Sequence, residues 1–391
     1  MTGHKLETVS GVGYEKFIGF RRQLHQYPEL SGEEFETTKA IKGWLEEAGI
    51  RVLDYSLATG VIAEVGGLHT GGPVIALRAD IDALPVQEET DLEFASKIPG
   101  KMHACGHDFH TASLLGTAYA LKEREGELQG TVRLIFQPAE EKAAGAKQVV
   151  DSGALEGVQA IFGMHNKPDL PVGTIGIKGG PLMAAADGFI VEIAGKGSHA
   201  AVPEAGIDPI VTAAHVITAL QSIVSRNVSS LQSAVISVTK LNSGTAWNVI
   251  PDKAVLEGTI RTFDEQVRVE VLERFGQVVE GVAAAFGTSA GVRWIGGPPP
   301  VNNDEALAEL GLEAAAAGGF QAIEAVPSPA GEDFAIYQRH IPGLFVFMGT
   351  AGTQEWHHPA FTLDEAAIPV SIRFLTELAE RALTRLRGRQ G

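Results

Sequence analysis

The sequence predicts an α/β protein in which a larger domain, with a mostly parallel central sheet, carries a smaller inserted α+β domain. Apolar runs typical of buried strands alternate with helical runs in the first and last parts of the chain, which is the pattern of parallel sheets. The middle of the chain instead follows the order βαββαβ. A length of 391 residues is natural for two domains.

The larger domain is predicted to cover residues 1–186 and 297–391. Its first helical stretch spans residues 14–49, where apolar residues recur at helical spacing around an interruption at residues 27–31. The elements that follow alternate in type. Strands are predicted at 74–77, 131–136, 158–164 and 344–348, and helices at 108–122, 143–150 and 366–386.

The inserted domain is predicted to cover residues 187–296. The GGPPP stretch at 296–300 suits the linker that leads back to the larger domain. Within the insertion, the pattern predicts the split βαβ arrangement. Its predicted elements are strand 189–194, helix 207–224, strands 234–241 and 254–260, helix 265–286 and strand 292–295.

Composition excludes several classes of protein. The formal net charge of −17, from 31 Lys and Arg against 48 Asp and Glu, argues against nucleic acid as a partner, because phosphate binding needs clustered basic residues. The lone cysteine, Cys105, cannot form an intrachain disulfide, which fits a reducing compartment. The first residues, MTGHKLETVS, lack the apolar core of a signal peptide, and no apolar run predicts a membrane span. We therefore expect a cytoplasmic protein.

The densest chemical signal is the segment HACGHDFH at residues 103–110, where three histidines and the lone cysteine precede a predicted helix. Thiolate and imidazole are usual ligands of borderline-soft divalent metals. Gly106 lets the loop bend so that Cys105 and His107 face one ion. The alternative is a polar helix start with a buried cysteine, and the clustering of four such groups favours the metal site.

Two adjacent glutamates, Glu140 and Glu141, follow the predicted strand 131–136 in the segment QPAEE. Adjacent carboxylates repel each other unless a positive group lies beside them, and a metal ion supplies that charge. One glutamate can then ligate the metal while the other acts as a general base. Taken alone, the pair is more typical of an acidic helix N-terminus, which the helix dipole favours.

Further polar residues follow predicted strands. Asp80 and His165 each end a strand, and His357 lies a few residues beyond another. A lone histidine in such a place is more often a core or surface residue, but ligands of doubly wound sheets bind at the carboxyl ends of the strands. Because these residues and the Cys105 loop fall on the same predicted edge, we expect them to form one functional site. In this site, Asp80 or Asp82 is predicted to orient a metal ligand instead of binding the ion.

His199 stands apart, in the segment GKGSHAAVP at residues 195–203 of the predicted inserted domain. The glycines predict a flexible turn that presents the histidine. Two interpretations stay open at this point: a loop histidine without a role, or one that reaches a site elsewhere.

Taken together, these motifs resemble the dinuclear-metal amidohydrolases that include N-acyl-amino-acid amidohydrolases, hippurate hydrolases and indole-acetyl-amino-acid hydrolases, relatives of aminoacylase and the glutamate carboxypeptidases. The resemblance covers nearly the whole chain. The segments that carry it are RRQLH at 21–25, PELS at 28–31, RADIDALP at 78–85, HACGHDFH, QPAEE, residues 195–209, GTAWNVIP at 244–251, GEDF at 331–334 and HHP at 357–359.

The resemblance implies a metallopeptidase-like catalytic domain with two divalent ions, zinc or manganese, with cobalt or nickel as further options. It implies Glu140 as the general base, and an inserted domain that acts as a lid and forms a homodimer. His199 is implied to reach the active site of a partner, and Asn248 and Arg261 to contact substrate. The implied metal ligands are Cys105, His107, Glu141, His165 and His357.

The predicted reaction is hydrolysis of the amide bond in small N-acyl amino acids such as N-acetyl amino acids or hippurate. A divalent ion lowers the pKa of a water molecule, Glu140 takes its proton, and His199 helps to stabilise the oxyanion. A dipeptidase or carboxypeptidase-type metallopeptidase is one alternative, because the same centre cuts either bond. A metal-binding protein without turnover is the other. A nicotinamide enzyme is disfavoured, because no GxGxxG segment follows the first strands.

Overall fold

The computed structural model describes residues 13–67 and 71–388, so the N-terminal segment that the signal-peptide prediction concerns lies outside the described residues. Strands, numbered in chain order, are β1 (Arg51–Leu53), β2 (Val61–Gly66), β3 (Val74–Asp80), β4 (Thr131–Gln137), β5 (Val158–Lys167), β6 (Thr174–Ile177), β7 (Gly180–Met183), β8 (Ala185–Ala194), β9 (Ser198–His199), β10 (Ala234–Ser243), β11 (Val249–Ile250), β12 (Lys253–Thr262), β13 (Ser289–Ile295), β14 (Val301–Asn303), β15 (Gln321–Glu324) and β16 (Gly343–Gly349).

The α-helices are numbered in the same way. They are α1 (Glu15–Gln26), α2 (Phe35–Glu47), α3 (His107–Glu123), α4 (Gly145–Asp151), α5 (Pro209–Arg226), α6 (Glu265–Ala285), α7 (Glu305–Ala317), α8 (Phe334–Gln338) and α9 (Ala367–Gly388). Single 3-10 turns lie at Glu125–Glu127, Glu140–Lys142 and Pro203–Ala205.

The chain divides into two compact units. Among the described residues, the first comprises 13–67, 71–180, 302–326 and 336–388, and the second comprises 181–301 and 327–335. The predicted inserted segment, 187–296, lies inside the second unit. Each unit has its own hydrophobic core, so each is described by itself.

The first unit is built on an eight-stranded sheet in the order β1-β2-β4-β3-β5-β16-β6-β15. Its central strands β4, β3, β5 and β16 run parallel. Strands β1 and β2 form an antiparallel edge, and β16 meets β6 in antiparallel orientation. The predicted α/β class with a mostly parallel sheet is confirmed.

Burial on both faces explains the composition of the central elements. Every residue of β4 and β16 is buried, as expected for parallel strands covered by helices on both sides. Helix α3 is buried along nearly its whole length because apolar and small side chains surround its axis, and it packs against α1 and α9. Even so, no helix in the described part of the chain is long and apolar enough to cross a membrane.

The strand register determines which residues meet at one edge of this sheet. In the parallel pair β3–β4, Asp80 lies opposite Gln137, so the segment with the two glutamates begins where β3 ends. In the parallel pair β5–β16, His165 lies opposite Phe347. Because parallel strands end at the same edge, their carboxyl ends bring the chemical segments of the sequence together there.

The second unit contains a four-stranded antiparallel sheet in the order β10-β12-β8-β13. Alternate residues of β8 are buried, and its Phe189, Val191 and Ile193 join side chains of α5 and α6 in one core, so both helices cover the same face. The order of the major elements is the predicted βαββαβ, with the short pair β9–β11 added. The predicted α+β character of the middle of the chain is confirmed.

Candidate metal centre

The loop before α3 presents two of the predicted ligands. Gly106 precedes the helix with a left-handed φ of 80°, so that Cys105 in the loop and His107 in the first turn lie on the same side. A Cβ atom at residue 106 would lie 2.5 Å from Nδ2 of Asn166. Glycine is therefore required both for the backbone conformation and for the close approach of this amide.

The five predicted ligands and Glu140 lie within one cluster of the first unit. Three overlapping groups make it up, and within each the candidate ligand atoms lie within 4.8 Å of one another. These groups are Cys105–His107–His165, Cys105–Glu141–His357 and His107–Glu140–Glu141.

Individual distances show how closely the cluster is packed. Cys105 Sγ lies 3.4 Å from His165 Nε2. Oε1 of Glu141 lies 3.4 Å from His357 Nε2 and 3.9 Å from His107 Nε2. Side chains from widely separated parts of the sequence therefore approach at the spacing of ligands around a small ion.

Hydrogen bonds determine which nitrogen of each buried imidazole faces the cluster. His107 Nδ1 lies 2.9 Å from the carbonyl oxygen of Asp82, and His165 Nδ1 lies 2.8 Å from that of Asn166. A carbonyl oxygen only accepts, so each Nδ1 carries the hydrogen, and in the neutral ring Nε2 keeps its lone pair. Nε2 of His107 and Oε1 of Glu141 are buried and have no hydrogen-bond partner. Such orphaned atoms fit a divalent ion that binds between them.

The electrostatics of the cluster also favour a cation. Burial lowers the pKa of His107, but the carboxylates of Asp80, Asp82 and Glu141 outweigh it and raise the pKa to about 10. Burial, and next the charge of Glu141, raises the pKa of the Cys105 thiol well above its usual value. The site therefore carries excess negative charge, and its sulfur, nitrogen and oxygen donors suit zinc or manganese.

The paired glutamates lie on a constrained turn. Ala139 and Ala143, which flank the 3-10 turn, have left-handed φ values of 51° and 50°. The carboxylate of Asp82 accepts the backbone N–H of Glu140 at 3.2 Å and that of Glu141 at 3.1 Å. Backbone strain of this kind persists only where the surroundings hold it in place, and it is concentrated at functional sites.

Asp80 lies behind the cluster. Its carboxylate contacts His110 Nδ1 at 2.6 Å and accepts a hydrogen bond from Arg78 Nη1 at 2.7 Å, while its distance to His107 Nε2 is 3.8 Å. Asp82, not Asp80, lies within hydrogen-bonding distance of Nδ1 of His107, at 3.3 Å. The predicted role of Asp80 in orienting a ligand stays a prediction, and the direct contact to a proposed ligand belongs to Asp82.

Two contributors were not singled out from the sequence. Asn166 follows His165 and contacts several parts of the cluster, and the Trp356 ring lies 4.5 Å from the ring of His165. Their only sequence signal is that each is adjacent to a predicted ligand. Tryptophan and asparagine are common in ordinary cores and turns, so adjacency alone could not identify them.

The other predicted site residues belong to the second unit. His199 is exposed on β9, where it pairs with Val249 of β11, and its Nδ1 accepts the N–H of Ala201 at 3.0 Å. In the neutral ring this leaves the hydrogen on Nε2, which can therefore donate. Asn248 lies in the turn directly before β11, and its carbonyl oxygen accepts the N–H of Ala200 at 3.0 Å. Burial lowers the pKa of Arg261 on β12. Their roles stay predictions.

A buried polar network supports the first turn of α3. Asp108, next to His107, lies 3.0 Å from Arg21 Nε and 2.9 Å from His25 Nδ1. His25 Nε2 lies 3.2 Å from Glu88. Burial alone lowers the pKa of His25, but Asp108 and Glu88 outweigh both burial and the nearby charge of Arg21, and the pKa rises to about 8.

The raised pKa makes His25 a source of pH-dependent stability. With a folded pKa of about 8 against 6.5 unfolded, its contribution is complete below pH 6.5 and is lost as the pH rises through 8. The full contribution is about 2 kcal/mol. Urea denaturation of the metal-free protein measures the free energy of unfolding of wild type and of His25→Gln. We expect the difference between the two to shrink by this amount between pH 6 and pH 9.

A matched control uses His215, which is exposed on α5. Comparison with His215→Gln separates the effect of the buried position from that of replacing any histidine by glutamine. A His25→Gln difference that is constant with pH would contradict the ion-pair origin of the stability.

Comparison with known proteins adds independent findings. The model of the family described as peptidase family M20/M25/M40 matches residues 76–381. N-acetylcysteine deacetylase of Bacillus subtilis is 59% identical over 367 residues, which cover 94% of this chain and 96% of that protein. IAA-amino acid hydrolase ILR1-like 4 of Arabidopsis thaliana is 41% identical over 385 residues, covering 96% of this chain and 87% of that protein.

A solved structure is also similar. The crystal structure of a Bacillus subtilis protein described as a dinuclear metal-binding peptidase of the M20 family superposes with a TM-score of 0.86 and 55% identity. The match covers 95% of this chain and 98% of that one. Likeness of fold and sequence therefore extends over both units.

Proposed function

Because the chain belongs to peptidase family M20/M25/M40, we propose that it is a metal-dependent amidohydrolase that cleaves the linear amide bond of N-acyl amino acids. The observation that carries the proposal is the pair Glu140 and Glu141 beside a buried thiol and two buried imidazoles. N-acetylcysteine is the first substrate to test, because the B. subtilis relative is named for it.

The proposed metal centre holds two divalent ions, zinc or manganese, with cobalt or nickel as alternatives. When bound, such ions act as Lewis acids and lower the pKa of a water molecule. The orphaned Nε2 of His107 and Oε1 of Glu141, both buried, support this proposal. The ligands proposed are Cys105, His107, Glu141, His165 and His357.

Glu140 is the proposed general base. It accepts a proton from the attacking water, whose oxygen forms a bond to the amide carbonyl carbon, and returns the proton to the amine as the C–N bond breaks. The products are a carboxylate and a free amino acid. The hydrogen bond from its backbone N–H to Asp82 supports this role, because it fixes the turn from which the carboxylate extends.

His199, Asn248 and Arg261 are proposed to contact substrate, with His199 donating to the developing oxyanion from Nε2. We further propose a homodimer through the second unit. Strand β10 is an edge of its sheet and exposes Val235, and the residue Trp247 is 95% exposed. Sedimentation that finds only monomer at working concentration would contradict the dimer.

A peptidase with a dipeptide substrate is the second candidate, because the family is named for peptidases and the same chemistry cuts either bond. An assay with N-acetyl-L-cysteine, other N-acetyl amino acids and matched dipeptides separates the two. We expect N-acetyl amino acids to be preferred by about tenfold or more in kcat/KM, since differences of one substrate group in a pocket have effects of this size.

The same assay tests dependence on the metal. Treatment with a chelator should abolish turnover, and added Zn²⁺ or Mn²⁺ should restore it. A purified protein that stays inert with each of the four candidate ions would contradict the proposed function. A preference for dipeptides would replace the first candidate by the second.

A further inference from the structure

We propose that Asn166 is a positioning residue that fixes the relative positions of the three segments that carry the proposed ligands Cys105, His165 and His357. The inference rests on the proposed function, because it concerns residues proposed to bind the metal. Asn166 lies at the end of β5, directly after His165, and its side chain is fully buried. Thiolate, imidazole and carboxylate are the usual ligands of a zinc-type centre, so we assign the amide of Asn166 to orienting other groups.

Asn166 contacts four residues around the cluster. Its side-chain Nδ2 donates to the carbonyl oxygen of Cys105 at 2.6 Å and lies 3.1 Å from His110 Nε2. Its backbone N–H donates to the same His110 nitrogen at 2.9 Å, and its carbonyl oxygen lies 2.8 Å from His165 Nδ1. The indole N–H of Trp356 donates to its carbonyl oxygen and to Oδ1, each at 3.2 Å.

These contacts connect segments that are distant in sequence. Cys105 belongs to the loop before α3, His165 to β5, and Trp356 directly precedes His357 in the loop after β16. A single residue therefore contacts the loop or strand that carries each of three proposed ligands. In addition, the hydrogen bond from its backbone N–H leaves Nε2 of His110 without a proton, so that Nδ1 of this ring donates to Asp80.

The backbone bonds could be made by other residues, but only a side chain with both a donor and an acceptor can bond the Cys105 carbonyl and the Trp356 indole together. The amide donates to a carbonyl and accepts from an indole, and these two partners also determine which terminal atom is nitrogen. An aspartate at this position would place a carboxylate oxygen against the carbonyl of Cys105. An apolar residue would leave that carbonyl without its donor.

The backbone of Gly106 supports the same inference independently. A Cβ atom at this position would lie 2.5 Å from Nδ2 of Asn166 and 3.1 Å from its Cγ. Glycine between Cys105 and His107 therefore gives the amide its access to the Cys105 carbonyl. The loop that presents two proposed ligands and the amide behind it fit each other sterically.

The test measures metal binding instead of turnover. Metal-free wild type and Asn166→Ala are titrated with Zn²⁺ against a chromophoric chelator, and the thiolate-to-cobalt absorption is recorded with Co²⁺ as a probe. We expect Asn166→Ala to bind Zn²⁺ about 10- to 100-fold more weakly, because loss of groups that orient metal ligands has effects of this size. We also expect its cobalt absorption to shift, because the orientation of Cys105 changes.

Asn303 provides the matched control. It is also a buried asparagine of the first unit, and its side chain donates to the carbonyl oxygens of Lys178 and Phe345 and accepts from Gln338. Asn303→Ala should lower thermal stability yet bind Zn²⁺ within about twofold of wild type, since surroundings distant from a site usually act independently. Equal Zn²⁺ affinity in wild type and Asn166→Ala would overturn the inference, as would equal weakening in both variants.

A second variant is available if Asn166→Ala does not fold. Trp356→Phe removes the indole donor to Asn166 but keeps an aromatic ring beside His165, and Trp44→Phe, at a ring stacked on Phe20, is its control. We expect only Trp356→Phe to weaken Zn²⁺ binding, and unchanged affinity would overturn the inference. A wild-type protein that binds no metal would instead overturn the proposed function, so the two failures are distinguishable.

Discussion

Replacing Glu140 by glutamine is expected to lower kcat by about 10²- to 10⁴-fold, the range contributed by a positioned general base. The amide of glutamine keeps the size and the hydrogen-bonding reach of the carboxylate but cannot accept the proton of the attacking water. Steady-state rates on the best N-acetyl amino acid, measured with metal bound, give the effect. Near-wild-type turnover would show that Glu140 is not the base.

The neighbouring glutamate is the control for this experiment. Oε1 of Glu141 faces Nε2 of both His107 and His357, whereas the role proposed for Glu140 is proton transfer. Glu141→Gln should therefore weaken Zn²⁺ binding about 10-fold or more, while Glu140→Gln should bind Zn²⁺ nearly as wild type does. The same pattern in both variants would contradict the division of roles between adjacent carboxylates.

Replacing Arg78 by methionine is expected to lower the free energy of unfolding by about 3–5 kcal/mol, the usual effect of removing one partner of a buried ion pair. Arg78 and Asp80 have no exposed side-chain surface, and their charged atoms lie 2.7 Å apart. Methionine fills most of the volume but leaves the Asp80 carboxylate without this charge. Urea denaturation of the metal-free protein measures the loss.

An exposed ion pair provides the comparison for Arg78. On α2, Nζ of Lys39 lies 3.3 Å from Oε2 of Glu36, and the two side chains are 76% and 77% exposed. Lys39→Met should leave the free energy of unfolding within experimental error of wild type, because water and salt screen such pairs. If Arg78→Met were equally neutral, His110 and the other neighbours of Asp80 would be sufficient to stabilise its charge.

Asp82 contacts both the proposed general base and two proposed metal ligands. Its carboxylate accepts the backbone N–H groups of both Glu140 and Glu141, and its carbonyl and carboxylate oxygens lie close to His107 Nδ1. A displacement of Asp82 would therefore move the proposed base and two proposed ligands together. This shared support explains how a strained turn stays in one conformation.

Much of the candidate site could be predicted from the sequence because its signals are local. Cys105 and His107 lie two residues apart, and Glu140 and Glu141 are adjacent, so their chemistry is visible without a fold. The strands before Glu140, His165 and His357 are also visible, as apolar runs. The rule that parallel strands present their carboxyl ends at one edge then brings the segments together, and the family and its hydrolase class are confirmed.

The shortest strands of the large sheet and the supporting residues could not be predicted in this way. Strands β1, β6 and β15 have three or four residues each, too few for a periodic pattern. Asn166 and Trp356 are 190 residues apart, and Arg21 and Asp108 are 87 apart. Nothing in the local sequence distinguishes such residues from ordinary core or surface positions.

The sequence by itself determined the class of fold, the family and the set of groups that could bind a metal, because residue type and spacing carry that information. Only the tertiary structure decided which nitrogen of His107 and His165 faces the cluster, and which of Asp80 and Asp82 contacts His107 Nδ1. The physical reason is that a hydrogen bond depends on distances of a few tenths of an ångström between atoms of different segments. Strand register and packing set those distances, and the spacing of residues along the chain does not.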